Sequence, residues 1–265
     1  MSKNNYVTIG NTNMYYVSFG NGNKKLVVLP GLSDGLATVK GKALFFSSSY
    51  KHFLNGYTVY MFSRKNDMPD SYAICDMAND QIEVMKNLGI DKAYVMGVSE
   101  GGMIAQYMAI NHPECVEKLI LVVTAPYTND IAKDAVTTWI DMVNRNDHTE
   151  LMIDTAERMY SNEYLKKNKK YFPLIAKFTK PKSYDWFLKN AIAILKFDAR
   201  NDLSKINCPT FIIAGSEDRV VVKYAAYELN DGIKNSELFI YNGLGHGAYE
   251  EAKDFYDKVL EFCNR

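Results

Sequence analysis

Several features that would point elsewhere are missing from this sequence of 265 residues. No uninterrupted apolar stretch approaches the roughly 20 residues of a membrane-spanning helix. The longest β-type run, residues 119–123, is far too short. The start, MSKNNYVTIG, is polar and lacks the apolar h-region of a secretory signal. A cytoplasmic protein without stable membrane insertion is therefore expected. An excess of charge is lacking too, with 31 Lys+Arg against 31 Asp+Glu. That leaves no basic footprint for nucleic acid or for a strongly anionic membrane. Cysteine is sparse: Cys75, Cys115, Cys208 and Cys263 lie far apart with no C-x-x-C spacing. Zinc and dithiol motifs are thereby disfavoured, and free thiols in a reducing compartment are the expectation. Neither an internal repeat nor a low-complexity segment is present.

What is present is apolar material for a large core: 47% of residues are hydrophobic and 13% aromatic. Short apolar runs alternate with longer helical patterns, which predicts an α/β domain with a mostly parallel sheet. The opening YVTIGNTNMYYVSFGNGNKK reads as a hairpin around Gly10-Asn11. Further strands are expected at 26–30, 58–62, 93–97, 119–123, 209–215 and 237–241, eight in all. Helices are expected over 38–54, over 72–88 with Ser71 as its cap, from Glu100 to Asn111, over 222–231, and over 249–262. Between the sixth and seventh strands the pattern changes. Residues 127–202 contain no good strand, only amphipathic helical signals rich in Met and aromatics. This stretch reads as a lid, dividing the chain into a core of 1–126 and 203–265 and a helical cap of 127–202.

The chemistry concentrates at three places. G-V-S-E-G (97–101) stands between a strand and a helix, as in a G-x-S-x-G nucleophile elbow. Gly97 and Gly101 let strand and helix approach closely, so that Ser99 is presented at the tip of the turn. The N–H of Glu100 then lies at a helix N-terminus, facing a developing oxyanion. A plain strand–helix turn would use the same glycines. A hydroxyl nucleophile needs a base, and only His52, His112, His148 and His246 are available. The first three are read as exposed or capping residues. His246, in NGLGHGAYEE, follows the last strand and precedes the last helix, where a loop at the sheet's carboxyl edge can reach the elbow. Asp218, in AGSEDRVV, lies beyond the preceding strand and can orient an imidazole. Glu217, Asp202 and Asp130 are competing carboxylates, and Asp218 could instead cap the following helix. After the strand at 26–30, the Gly31-Leu32 backbone can offer a second oxyanion donor. Ser33 is a side-chain alternative there.

Together these residues resemble the α/β-hydrolase family in its capped esterase, lactonase and lipase-like branch. The resemblance spans nearly the whole chain: the strand-PG turn, the SRKND loop, NLGIDKAYVMGVSEGGMIAQYMAINHPECVEKLILVVTAP, GSED and the late GHG, in family order. It implies Ser99 as nucleophile, His246 as base, Asp218 as acid, and backbone N–H groups of Leu32 and Glu100 as the oxyanion hole. It implies no cofactor and no metal, with a small ester-like molecule as partner; the sequence leaves room for a homodimer. Pro30-Gly31 replaces the family's common His-Gly, and SRKNDM (63–68) replaces its usual D-x-x-G-x-G loop. The expected reaction is carboxylic ester hydrolysis. Lactone, thioester or C–C bond cleavage on the same residues is the alternative, as is a ligand-binding member that catalyses little.

Overall fold

A computed structural model of the chain describes residues 2–265. Period-two alternation makes the first twenty residues a hairpin. Strands β1 (Lys3–Ile9) and β2 (Thr12–Gly20) pair antiparallel around Gly10, whose φ of +55° suits the tight turn. The strands that follow are β3 (Lys24–Leu29), β4 (Tyr57–Lys65), β5 (Ala93–Val98), β6 (Val116–Val122), β7 (Thr210–Gly215) and β8 (Ser236–Tyr241). They complete an eight-stranded sheet in the order β1-β2-β4-β3-β5-β6-β7-β8. β2 joins β4 antiparallel, and the pairings from β4 to β8 are all parallel.

The helices are α1 (Ala43–Ser49), α2 (Ile74–Asn87), α3 (Glu100–Asn111), α4 (Asp130–Asn144), α5 (His148–Met159), α6 (Asn162–Asn168), α7 (Phe172–Thr179), α8 (Asp185–Leu195), α9 (Val222–Gly232), α10 (Ala248–Glu251) and α11 (Phe255–Asn264). On β6, Leu119 and Leu121 join the apolar cluster beneath α2, α3 and α9, while Ile120 and Val122 join the one beneath α1 and α11. Because both faces are covered, the central strands are unbroken apolar runs rather than alternating ones.

Helices α4 to α8 all lie between β6 and β7, so the strand-free stretch is a helical insertion. Its two ends close on each other. Tyr127 and Asp198 form an isolated antiparallel bridge. The N–H groups of Thr128 and Ala199 donate to the carbonyls of Phe197 and Pro126 at 3.1 and 2.8 Å.

Three local expectations need correction. Ser71 does not cap α2; the helix starts after Ala73, whose N–H donates to Asp76 at 2.9 Å. Residues 38–54 are not one helix, because Gly41 at φ +81° delays the start to Ala43 and a 3-10 turn at Lys51–Phe53 follows. The final helix is split into α10 and α11. Glu250 and Glu251 are held by Tyr160 and Ser161 of the insertion, and the chain re-aims at Ala252 so that Phe255, Val259 and Phe262 reach the sheet. Tertiary contacts there override a continuous helical pattern.

Candidate active site

Ser99 follows β5 and precedes the first turn of α3 with φ +53° and ψ −117°, a conformation rarely adopted outside glycine. Its backbone is pinned from both sides. The Ser99 N–H donates to Val122 O at 2.9 Å, and its carbonyl accepts from Gly102 N–H and from the Thr124 hydroxyl at 2.8 and 2.7 Å. The flanking glycines are required by proximity. A Cβ on Gly97 would lie 2.2 Å from Gly101 O, and one on Gly101 would lie 2.0 Å from Leu29 O. The strand–turn–helix thus holds a strained backbone at Ser99 that its surroundings over-determine.

His246 reaches this serine from the loop after β8. Its Nε2 is 3.0 Å from Ser99 Oγ, and its Nδ1 is 2.8 Å from Asp218 Oδ2. His246 and Asp218 are both buried. Asp218 divides its oxygens: Oδ1 accepts from the N–H groups of Val220 and Val221 at 2.8 and 3.0 Å, leaving Oδ2 for the imidazole. Asp218 does not cap α9, whose N-cap Val221 has no side-chain cap bond; its Oδ1 instead holds the loop ahead of that helix. Glu217 and Asp130 are exposed, and Asp202 pairs with Lys205; none of them touches His246.

The other histidines lie elsewhere. His52 pairs with Asp257 at 2.8 Å and His112 contacts Asn79 at 2.9 Å. His148 is not exposed as expected. It is buried in the insertion, with Nε2 3.2 Å from Thr179 Oγ1 and its ring tilted against Tyr184. Burial pushes its pKa down, aided by nearby Lys180.

The glycines around His246 have a reason that sequence reading missed. The Gly247 N–H donates to Met159 O at 2.7 Å, and a Cβ on Gly245 would lie 2.4 Å from that same carbonyl. The Tyr160 hydroxyl donates to Glu250 at 2.6 Å. Arg219, beside Asp218, donates to Glu157 O and Asn162 Oδ1, each at 3.2 Å. Both loops that carry the histidine and the aspartate are thus fastened to the α5–α6 corner of the insertion.

The turn after β3 passes directly against Ser99. A Cβ on Gly31 would be 3.2 Å from the serine Cβ. Leu32 opens a 3-10 turn, Leu32–Gly35, and among the described residues neither the Leu32 nor the Glu100 amide donates to a backbone carbonyl. Ser33 is exposed, and its carbonyl, not its hydroxyl, serves the local turn. The Glu100 carboxylate is buried, 3.1 Å from the Arg64 guanidinium. Its desolvation raises its pKa, which Arg64 opposes. The SRKNDM segment is a loop only in part, since Ser63, Arg64 and Lys65 still belong to β4. Arg64 and Asp34, both buried beside the elbow, were not singled out from the sequence. The available signal was an arginine near the end of one apolar strand and an aspartate in the turn after its neighbour.

A cavity of about 620 Å³ abuts this turn, lined by Gly31, Ser33 and Val98 of the core and by His148, Met152 and Thr179 of the insertion. Its remaining wall is mostly apolar. A larger cavity of about 730 Å³ lies on the far side of residues 34–38, toward Asn66 and Trp186, and includes neither Gly31 nor Val98. Neither cavity has Ser99 or His246 in its lining; the smaller one borders their neighbours Gly31 and Val98. Among the described residues no three His, Cys, Asp or Glu side chains gather as a metal-ligand set.

Comparison with known proteins agrees with this fold. The family model described as alpha/beta hydrolase fold matches residues 24–253. The AB hydrolase superfamily protein YisY of Bacillus subtilis is 29% identical over 211 residues, covering 76% of this chain and 77% of the relative. A Pseudomonas putida 2-hydroxy-6-oxononadienedioate/2-hydroxy-6-oxononatrienedioate hydrolase is 25% identical over 263 residues, covering 94% of this chain and 91% of the relative. The enol-lactonase of Burkholderia xenovorans superposes with a TM-score of 0.81 at 19% identity, covering 98% of this chain and 100% of that one.

Proposed function

The chain belongs to the alpha/beta hydrolase family and is an enzyme of that kind, and from this premise we propose that it cleaves a small or medium carboxylic ester by acyl transfer to water. The observation that carries the reading is the unbroken hydrogen-bonded series Asp218–His246–Ser99, with both contacts at 3.0 Å or less.

In this reading His246 Nε2 takes the Ser99 proton as Oγ attacks the ester carbonyl. Asp218 Oδ2 accepts from the Nδ1 proton, holds the tautomer that leaves Nε2 free, and stabilises the imidazolium. The amides of Leu32 and Glu100, which donate to no backbone carbonyl among the described residues, receive the negative oxygen. One such donor is typically worth about 3 kcal/mol of barrier. Collapse expels the alcohol, protonated by His246. Water, deprotonated by the same nitrogen, then releases the acid.

Residues 127–202 act as a cap over a core of 1–126 and 203–265, and the cavity between them receives the acyl or alcohol portion. Its Met and aromatic walls favour an apolar group of modest size. The names of the relatives favour two neighbouring chemistries, opening of a lactone or hydrolysis of an oxo-acid, as the second reading.

The deciding experiment is a chromogenic ester series of increasing chain length, run beside a lactone and a thioester, with Ser99→Ala as control. Turnover of esters lost in Ser99→Ala supports the reading. Ester hydrolysis that survives that substitution in purified protein, or failure of a fluorophosphonate to label Ser99, refutes it.

A further inference from the structure

Behind the serine turn lie three charged side chains that the proposed chemistry does not use. Arg64 and Glu100 are fully buried and Asp34 is 3% exposed. An apolar trio of similar volume is often at least as stable as a buried ionic one, so stability alone gives no reason for them.

Their contacts converge on two backbone segments. Arg64 Nη2 donates to Pro30 O at 2.7 Å and lies 3.1 Å from Glu100 Oε2. One nitrogen therefore touches both the loop after β3 and the residue after the serine. The Arg64 N–H donates to Asp34 Oδ2 at 3.0 Å, and the Ser63 hydroxyl donates to Asp34 Oδ1 at 2.8 Å. The Asp34 N–H in turn donates to Gly31 O at 3.0 Å, closing the turn that contains Leu32. The end of β4 thus grips the loop through main chain and side chain, and the same side chain ion-pairs with Glu100 of the elbow, whose carboxylate oxygens make no hydrogen bond among the described residues. Loop and helix are otherwise in bare backbone contact, since no Cβ on Gly101 separates α3 from Leu29 O and Pro30 O. Burial pushes both carboxyl pKa values up, and the Arg64 guanidinium is the group that pulls both down.

We propose that Arg64 is a positioning residue: bridging Pro30 O and the Glu100 carboxylate, it clamps the Leu32 turn to the first turn of α3 and so fixes the separation of the two backbone donors. This rests on the reading above, in which Leu32 N–H and Glu100 N–H receive the oxyanion. Preorganised donors work only within about 0.5 Å of the productive geometry. Two donors from different loops, facing one atom, need a shared brace. Arg64 supplies it in a chain that has Pro30, not a side-chain hydrogen-bonder, before Gly31.

The test uses the full chain, an ester that the wild type hydrolyses, and a trifluoromethyl ketone of the same chain length. The ketone adds Ser99 Oγ to give an alkoxide in the oxyanion position. Arg64→Lys keeps a positive charge, but its ammonium ends one bond short of the Nη2 position that meets both partners. Glu100→Ala cuts the elbow side. With rates expressed per serine titrated by fluorophosphonate, each variant is expected to lose a hundredfold or more in kcat, with KM within threefold. The ketone's Ki should rise by the same factor. Glu100→Gln, which keeps an acceptor oxygen, should cost less than Glu100→Ala. The double variant should be no worse than the worse single one, because both cut one brace. A folded variant with kcat and ketone affinity within threefold of wild type overturns the clamp, as does a loss confined to melting temperature. If neither variant folds, Ser63→Ala, which removes one hydroxyl bond to Asp34, decides: parallel losses of about tenfold in kcat and ketone affinity support the clamp, and unchanged values overturn it. A wild type that neither labels nor turns over any ester refutes the underlying reading instead, and the clamp with it.

Discussion

The His246 imidazole meets the Ser99 hydroxyl at 3.0 Å across 147 positions of chain. The sheet order makes this contact local. β5 is central and β7 and β8 lie two and three strands away, all parallel, so their carboxyl ends open on one edge. Loops at that edge converge on the end of β5, as ligand sites do in open parallel sheets.

The division of labour at Asp218 is separable by substitution. In Asp218→Asn the amide oxygen can still accept from the Val220 and Val221 N–H groups, but the NH2 then faces His246 Nδ1 and forces the proton onto Nε2. That nitrogen can no longer take the serine proton. The expected outcome is a fall in kcat of about 10⁴ with stability altered by less than about 1 kcal/mol. Ester kinetics and urea unfolding of the same preparation check both halves.

Gly101→Ala should act on the fold. Its methyl would have to occupy a position 2.0 Å from Leu29 O, a backbone atom with no rotamer to escape into. Overpacking of this kind is expected to cost about 3 kcal/mol, with α3 pushed away from the loop and the serine misplaced. Urea unfolding gives the stability loss, and fluorophosphonate labelling rate gives the misplacement.

His148 makes the insertion acid-sensitive. It is buried neutral and its pKa is depressed in the folded chain, so the unfolded chain binds the proton first. Stability from this site is intact above the ordinary histidine value of about 6.5 and is lost as pH falls from there toward the lowered folded value. The melting temperature of the wild type should drop more steeply below pH 6.5 than that of His148→Phe, with the two curves parallel above it. Parallel curves throughout would exclude this site as the cause.

Met152 faces the cavity from the insertion side. Met152→Trp should shorten the longest ester accepted while leaving acetate esters within about threefold in kcat/KM, since a filled apolar pocket discriminates by size at about 1–3 kcal/mol per methylene. A chain-length profile that does not move would place the acyl group elsewhere.

Much of this was legible in the residues because it is local. The AYVMG run and the Glu100–Asn111 helix keep their predicted places, and a five-residue turn between them needs glycine for reasons of distance alone. His246 and Asp218 were legible because each is a polar residue just beyond a buried strand. The α2 cap and the split of the last helix were not, because Asp76 and the Tyr160–Glu250 contact decide them against the pattern. Least legible was Arg64. A single arginine in an apolar strand has no period to reveal its face, and its partners Pro30, Asp34 and Glu100 are joined to it only by the sheet order.

The bond from Gly247 N–H to Met159 O has a further consequence for how this chain can diverge. The corner at residues 159–162 shares the constraints of His246 and Asp218, and Phe187 of α8 packs against Gly35 beside the donor turn. Among the described residues, 163–181 make no hydrogen bond to any of those loops. A lineage, or an engineer, can therefore change the exposed positions between 163 and 178 without touching those bonds. Exchanging the whole insertion for another would remove the mount of the histidine as well.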